Sequence, residues 1–377
     1  MRFHLRGGLA PVTSESQPNR MGWVDVARAV AVLAIVLMHF QIWVIAPYVG
    51  HSLDVTIWTK FIEQLNAFHL PLLFVLSGFL VADRVRSGFS DRRTLVSAAR
   101  SYYLYVVWLA IYWLMSMSLE TRTPMGVPDV GSFISQLVLP RSILWFVLAL
   151  AVYVLVFSAL SRFPAALMLP ASALLTLSTV WMPGVEGADL YRRVVYYAFF
   201  FGIGVYLKPA LLKFTSGPMA RKLLLTLSIY IILFVVSETL PLSGQLVRAG
   251  LRLARETGAT FAVIAIVVLL CRVSFVARPL ASIGRQTLPI YVLHLPAIWV
   301  FLAYPNWEGV FQSAAVRALM PFLAVVVIVS ATLLIHKAVI RTPARVLFEM
   351  PSAWADRILR KGPRRIEAVQ AAAPDRL

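Results

Sequence analysis

Long apolar runs, each broken by a short polar or basic segment, recur along the whole chain. They cover residues 24–46, 61–82, 101–119, 143–160, 163–181, 190–207, 223–240, 259–271, 286–304 and 316–335. A helix crosses a bilayer with about 17 to 25 apolar residues; most of these runs reach that length, and the eighth needs its flanks to do so. The pattern predicts an all-α polytopic membrane protein with about ten transmembrane helices.

Composition agrees. Of 377 residues 60% are hydrophobic and 14% charged, with a mean hydropathy of +0.79, which excludes an ordinary soluble domain. The net charge of +18 sits in short flanks between apolar runs, so it points to topology and anionic lipid and not to nucleic acid. An inner N-terminus puts Arg84, Arg86, Arg92, Arg93 and Arg100 in the first inner loop, and Lys208, Lys213, Arg221 and Lys222 in a later one. That bias predicts an N-in, C-in chain. Arg192, Arg193, Arg248, Arg252 and Arg255 fall on the outer side, the last three in a loop after the seventh span. They either contact an anionic external substrate or belong to an amphipathic surface helix.

Residues 1–20 carry Arg2, Arg6 and Arg20 without a long apolar core, which reads as a disordered cytoplasmic tail and not a signal peptide. Residues 21–335 form the membrane domain, and 336–377 a basic cytoplasmic tail suited to inner-surface lipid. The single Cys271 excludes an internal disulfide. His4, His51 and His336 fall in a tail, a loop and a helix end, and no His/Cys/Asp cluster suggests a metal.

Ionisable residues inside apolar runs are costly and default to function. Arg28 and His39 lie eleven residues apart, nearly one helix face, separated by roughly 16 Å of axial rise. Arg28 can hold a phosphate at the inner end or pair with Asp25; His39 can move a proton or serve packing. The second run places Glu63 before His69, whose following Leu-Pro step can bend the helix, while Ser77-Gly78 permits close backbone packing. A third cluster joins Arg285, Tyr291 and His294, the last two three residues apart and able to share a face. Arg141 and Trp145 open the fourth run, as acceptor contacts or interfacial anchors.

Four ordered pieces carry a resemblance: Asp25-Val-Ala-Arg28 with the spacing to His39, Phe68-His-Leu-Pro-Leu-Leu-Phe-Val-Leu-Ser-Gly-Phe79, Leu144-Trp-Phe146, and Gly284-Arg-Gln-Thr-Leu-Pro-Ile-Tyr-Val-Leu-His294. Over residues 20 to 335 the chain resembles the integral-membrane acyltransferase-3 family. The resemblance implies transfer of an acyl group, most often acetyl, from cytoplasmic acyl-coenzyme A to a hydroxyl of an envelope polysaccharide or lipid-linked glycan, in a bacterial inner membrane. Acyl-CoA is then a co-substrate and no cofactor is held permanently; partners are the glycan, anionic lipids and glycan-synthesis proteins.

By the same resemblance His39 aligns with the essential histidine and Arg28 with its partner, with His69 and His294 in supporting positions. The combined reading makes His39, Arg28 and His69 catalytic, and assigns donor contacts to Arg28, Arg285, Tyr291 and His294. Glu63, Arg141 and Trp145 are acceptor contacts. Thr287-Leu-Pro289 departs from the Ser-Leu pair of many relatives, and the esterase-like domain of some is lacking. A proton-coupled transporter and succinyl transfer to a periplasmic glucan are the competing readings.

Overall fold

A computed structural model describes residues 22–48, 53–119, 123–182, 189–241, 243–304 and 307–360. All regular structure among these residues is helical. The chain enters through α1 (Gly22–Phe40), with Asp25 in its first turn, a carboxylate at the positive end of the helix dipole. A π turn (Gln41–Ile45) and a 3-10 turn (Ala46–Tyr48) follow. Next come α2 (Leu53–Asn66) and α3 (His69–Arg86), parted at Ala67 and Phe68, then α4 (Arg93–Ser118) and the short α5 (Val130–Gln136). Asp129 caps α5 by accepting the Ser132 N–H at 2.8 Å.

The middle of the chain forms α6 (Trp145–Ala159), α7 (Ala165–Ser178), α8 (Asp189–Tyr196), α9 (Ala198–Tyr206) and α10 (Lys208–Phe214). The long antiparallel pair α11 (Met219–Thr239) and α12 (Gln245–Leu270) leads to α13 (Ser274–Arg285) and α14 (Thr287–Leu302). The chain closes with α15 (Trp307–Val310), α16 (Ala314–Val339) and α17 (Ser352–Arg360).

Six helical segments are long and apolar enough to cross a membrane: Gly22–Tyr48, Thr56–Arg86, Arg93–Ser118, Met219–Thr239, Gln245–Leu270 and Ala314–Val339. A seventh arises if Tyr191–Tyr206 and Lys208–Phe214, bent by 75°, count as one. Every apolar run of the sequence lies on a helix, yet ten spans exceed what these lengths support. Trp145–Ala159, Ala165–Trp181 and Thr287–Leu302 are only 10–17 residues long, short of the roughly 20 a crossing needs. Conversely, residues 259–270 are the second half of the 26-residue α12, with Cys271 at its C-cap, so Arg248, Arg252 and Arg255 lie on a helix and not in a loop. Leu224, Leu225 and Ile232 on α11 and Leu323, Val326 and Val327 on α16 face outward, as a lipid-facing surface requires.

Small residues fix the interior. Helices α3 and α9 cross at backbone contact: a Cβ on Gly78 would stand 2.2 Å from the Phe201 carbonyl oxygen, and one on Gly204 2.1 Å from that of Val75. Such crossings depend on residues without side chains. At Gly284 a Cβ would lie 1.7 Å from the Asp25 carbonyl oxygen, so the end of α13 presses on the first turn of α1. Around α1 pack α3, α12, α13, α14 and α16, which makes it the central helix.

The described part of the basic tail is structured. Helix α17 docks on α4, where Arg92 donates to the Ile358 carbonyl at 3.0 Å and Trp354 meets Tyr103 edge-on at 5.5 Å. Residues 1–20 and 361–377 lie outside the described residues.

Candidate functional site

Three helix segments bring three histidines to one place. His39 is the penultimate residue of α1, two before the π turn, His69 opens α3 at the break after α2, and His294 lies in the middle of α14. Single π turns recur at functional sites, where the extra residue re-aims side chains. Here Trp43, inside that turn, stacks on His39 with centroids 4.2 Å apart and planes 14° apart.

His294 is fully buried, and its Nδ1 lies 2.7 Å from the Tyr291 carbonyl oxygen and 3.2 Å from that of Ile290. Carbonyls only accept, so Nδ1 carries hydrogen and, in the neutral ring, Nε2 carries a lone pair. That Nε2 stands 2.9 Å from His39 Nδ1. In the neutral pair His39 Nδ1–H therefore donates to His294, and His39 Nε2 keeps its lone pair for a substrate. His69 is arranged in parallel: its Nδ1–H donates to the Leu65 carbonyl at 2.8 Å, which leaves Nε2 as an acceptor.

Prolines help to set these positions. Pro71 falls in the first turn of α3, where a missing N–H costs little. Pro296 sits inside α14 and withholds the N–H that Val292 O would receive. The Tyr112 hydroxyl of α4 donates to Val292 O instead, at 3.0 Å. Tyr291 donates its hydroxyl to the Ile143 carbonyl, which ties α14 to the segment leading into α6.

His39 and His69 line a cavity of about 580 Å³. Trp43, Trp145, Tyr197 and Tyr291 give it aromatic walls, and Asn66 adds an amide. Its other polar lining is the Thr179 and Tyr196 hydroxyls and three cations: Arg192 and Arg193 from α8 and Arg252 from α12. The charge of Arg193 acts electrostatically on both His39 and His69.

Of the residues singled out by sequence, His39, His69, Trp145 and Tyr291 line this cavity, and His294 stands directly behind His39. Arg28 is half-buried on α1. The helix is unbroken to Phe40, so roughly 16 Å of axial rise separates Arg28 from His39. Arg285 is exposed at the end of α13, next to the Gly284–Asp25 contact, and so belongs to the Arg28 end of α1. Glu63 lies on the surface, paired with Lys60 at 3.0 Å, and Arg141 is exposed; neither is among the residues lining the cavity. Trp43 and Asn66 escaped the sequence reading, although each has a spacing signal: four residues after His39 and three before His69.

An interior cavity that pairs two histidines with aromatic walls, among apolar helices, describes a membrane enzyme more readily than a scaffold. The family model for an acyltransferase domain, of the acyltransferase-3 type, matches residues 21–336. The chain belongs to the acyltransferase-3 family and is a multi-pass membrane acyltransferase. No curated protein and no solved structure matches it significantly.

Proposed function

We propose that the protein transfers an acyl group, acetyl first among the candidates, from acyl-coenzyme A to a hydroxyl of an envelope polysaccharide or lipid-linked glycan. The observation that carries this reading is the His294–His39 hydrogen bond at the cavity wall, which leaves His39 Nε2 as a base. The acceptor hydroxyl gives its proton to Nε2 while its oxygen attacks the thioester carbonyl. The tetrahedral intermediate collapses with C–S cleavage, an ester forms, and the departing thiolate takes the proton from the His39 imidazolium.

His69, with Nε2 as an acceptor, suits holding the acceptor hydroxyl and is poorly suited, when neutral, to stabilising an oxyanion. The Asn66 amide is a donor in the cavity for that oxygen. Arg28 and Arg285, at the far end of α1, suit the phosphates of the donor, whose pantetheine arm would run along α1 towards His39.

In the proposed topology the N-terminus and C-terminus are cytoplasmic and the membrane is the bacterial inner membrane. Ten crossings would require the three shorter apolar helices to span in addition to the six long helices and the bent pair. The basic face of α17, with Arg357 and Arg360, is then set for anionic lipid.

The test uses purified protein in nanodiscs with radiolabelled acetyl-CoA and extracted envelope glycan. Acetyl ester on the glycan, with one free CoA thiol released per ester, is the expected result. Substrate accumulation in vesicles without any covalent change would replace the enzyme by a transporter. An acyl adduct on His39 formed without acceptor would replace direct transfer by a two-step route.

A further inference from the structure

Five arginines stand apart from the basic pattern of the chain, and four of them converge at the histidine end of α1. Arg192 and Arg193 come from α8 and Arg252 from α12, and all three line the cavity that holds His39. A second hollow of about 350 Å³ shares Arg192 and Arg252 and adds Arg248. Among the described residues, no Asp or Glu lines either hollow. Like-signed charge in a low-dielectric cleft focuses its field on an incoming ion of the opposite sign.

Arg252 is built into place. Its Nε donates to Glu256 Oε1 at 2.7 Å, Tyr196 donates to Glu256 Oε2 at 3.0 Å, and the guanidinium lies 4.7 Å over the Tyr196 ring. Glu256 is 3% exposed, whereas the Arg252 side chain remains 56% exposed. The buried carboxylate therefore braces a guanidinium that is still presented outward. Among the described residues, the one acid seen at this cluster is Glu256, against four arginines.

We propose that this arginine mouth is the subsite for an anionic group, carboxylate or phosphate, carried by the acceptor glycan beside the hydroxyl that His39 acylates. The inference rests on the acyltransferase reading above and adds the chemical class of its acceptor. Guanidinium forks match both anions in a bidentate geometry. The aromatic walls around Trp43, Trp145 and Tyr197 supply flat apolar faces for the C–H faces of sugar rings. Donor phosphates are poor occupants: the pantetheine arm separates them from the thioester by a length comparable to the Arg28–His39 spacing, whereas these arginines share one cavity with His39.

The test uses the full chain in neutral phosphatidylcholine nanodiscs and calorimetric binding of tetragalacturonate, its methyl ester, glucose 1-phosphate and maltotetraose. The two anionic probes are expected to bind and the two neutral ones to fail; their rank order separates a carboxylate from a phosphate acceptor. The double variant Arg193→Gln, Arg248→Gln is expected to weaken anion binding by roughly a hundredfold, about tenfold per charge-assisted contact. Arg193→Lys should recover part of the loss, and acetyl-CoA affinity should stay unchanged. A matched thermal midpoint for each variant confirms that it folds.

Equal affinity for the uronate and its ester, or no binding of either anion, overturns the subsite. So does a loss of acetyl-CoA affinity in the double variant, or an effect confined to retention of added phosphatidylglycerol, which would make the cluster a lipid contact. Anion binding without acyl transfer leaves the subsite standing and sinks the acyltransferase proposal. Acyl transfer to neutral maltotetraose alone does the reverse.

Discussion

His39 and His294, 255 positions apart in sequence, share one hydrogen bond of 2.9 Å, and its direction is dictated by two backbone carbonyls behind His294. His39→Ala is therefore expected to lower acyl transfer by about 10²- to 10⁴-fold, the usual contribution of a general base. Acetyl-CoA binding measured by calorimetry should persist. His294→Ala leaves His39 free to turn over its tautomers, and a loss of about a hundredfold is expected from misplacement alone. Equal activity of His294→Ala and the parent protein, at matched stability, would remove His294 from the mechanism.

Arg28 tests the two-ended arrangement. Arg28→Ala is expected to raise KM for acetyl-CoA by roughly tenfold while kcat changes less, since the lost contact is made equally before and during reaction. Steady-state kinetics with varied donor at saturating acceptor separates the two effects. A selective fall in kcat would place Arg28 in the chemical step instead.

The Tyr112–Val292 bond yields a stability cycle. With Pro296 present, Tyr112→Phe strips Val292 O of its donor and should cost about 1 kcal/mol. With Pro296→Ala, the restored N–H satisfies that carbonyl and the same Tyr112→Phe change should cost little. Thermal unfolding of the four proteins in detergent gives the coupling directly.

Gly78→Ala is expected to destabilise at or beyond the upper end of the about 1–3 kcal/mol range for overpacking, because its Cβ would sit 2.2 Å from backbone oxygen. Gly250→Ala is the internal control. Nothing lies within 4 Å of its Cβ position on α12, so helix propensity should favour the variant by up to about 1 kcal/mol. The difference in thermal midpoint between the two variants is the measurement.

The chain wrote its helices plainly and its contacts poorly. Each apolar run falls on a helix because burial in lipid demands apolar composition, but composition does not state where a helix stops. Hence Trp145–Ala159 and Thr287–Leu302 end sooner than their apolar runs suggest, and α12 starts well before its apolar part. The shared face of Arg28 and His39 was legible because eleven residues of unbroken helix fix it. The meeting of His39 with His294 was not, since it depends on how α1 and α14 pack. Likewise Arg192 and Arg252 were visible as charges on the unexpected side, while their convergence arises only when α8 and α12 come together beside the cavity. Asn66 gains its meaning only where the break between α2 and α3 brings it to the same cavity as His69.

The contact of Gly78 and Gly204 with facing backbone has a mechanical consequence. Side chains that interdigitate can re-pack into a second register, but bare backbone in contact has nothing to exchange, so α3 and α9 form a single stiff unit. His69, at the head of α3, and Arg193, one short helix ahead of α9, are then carried on the same strut.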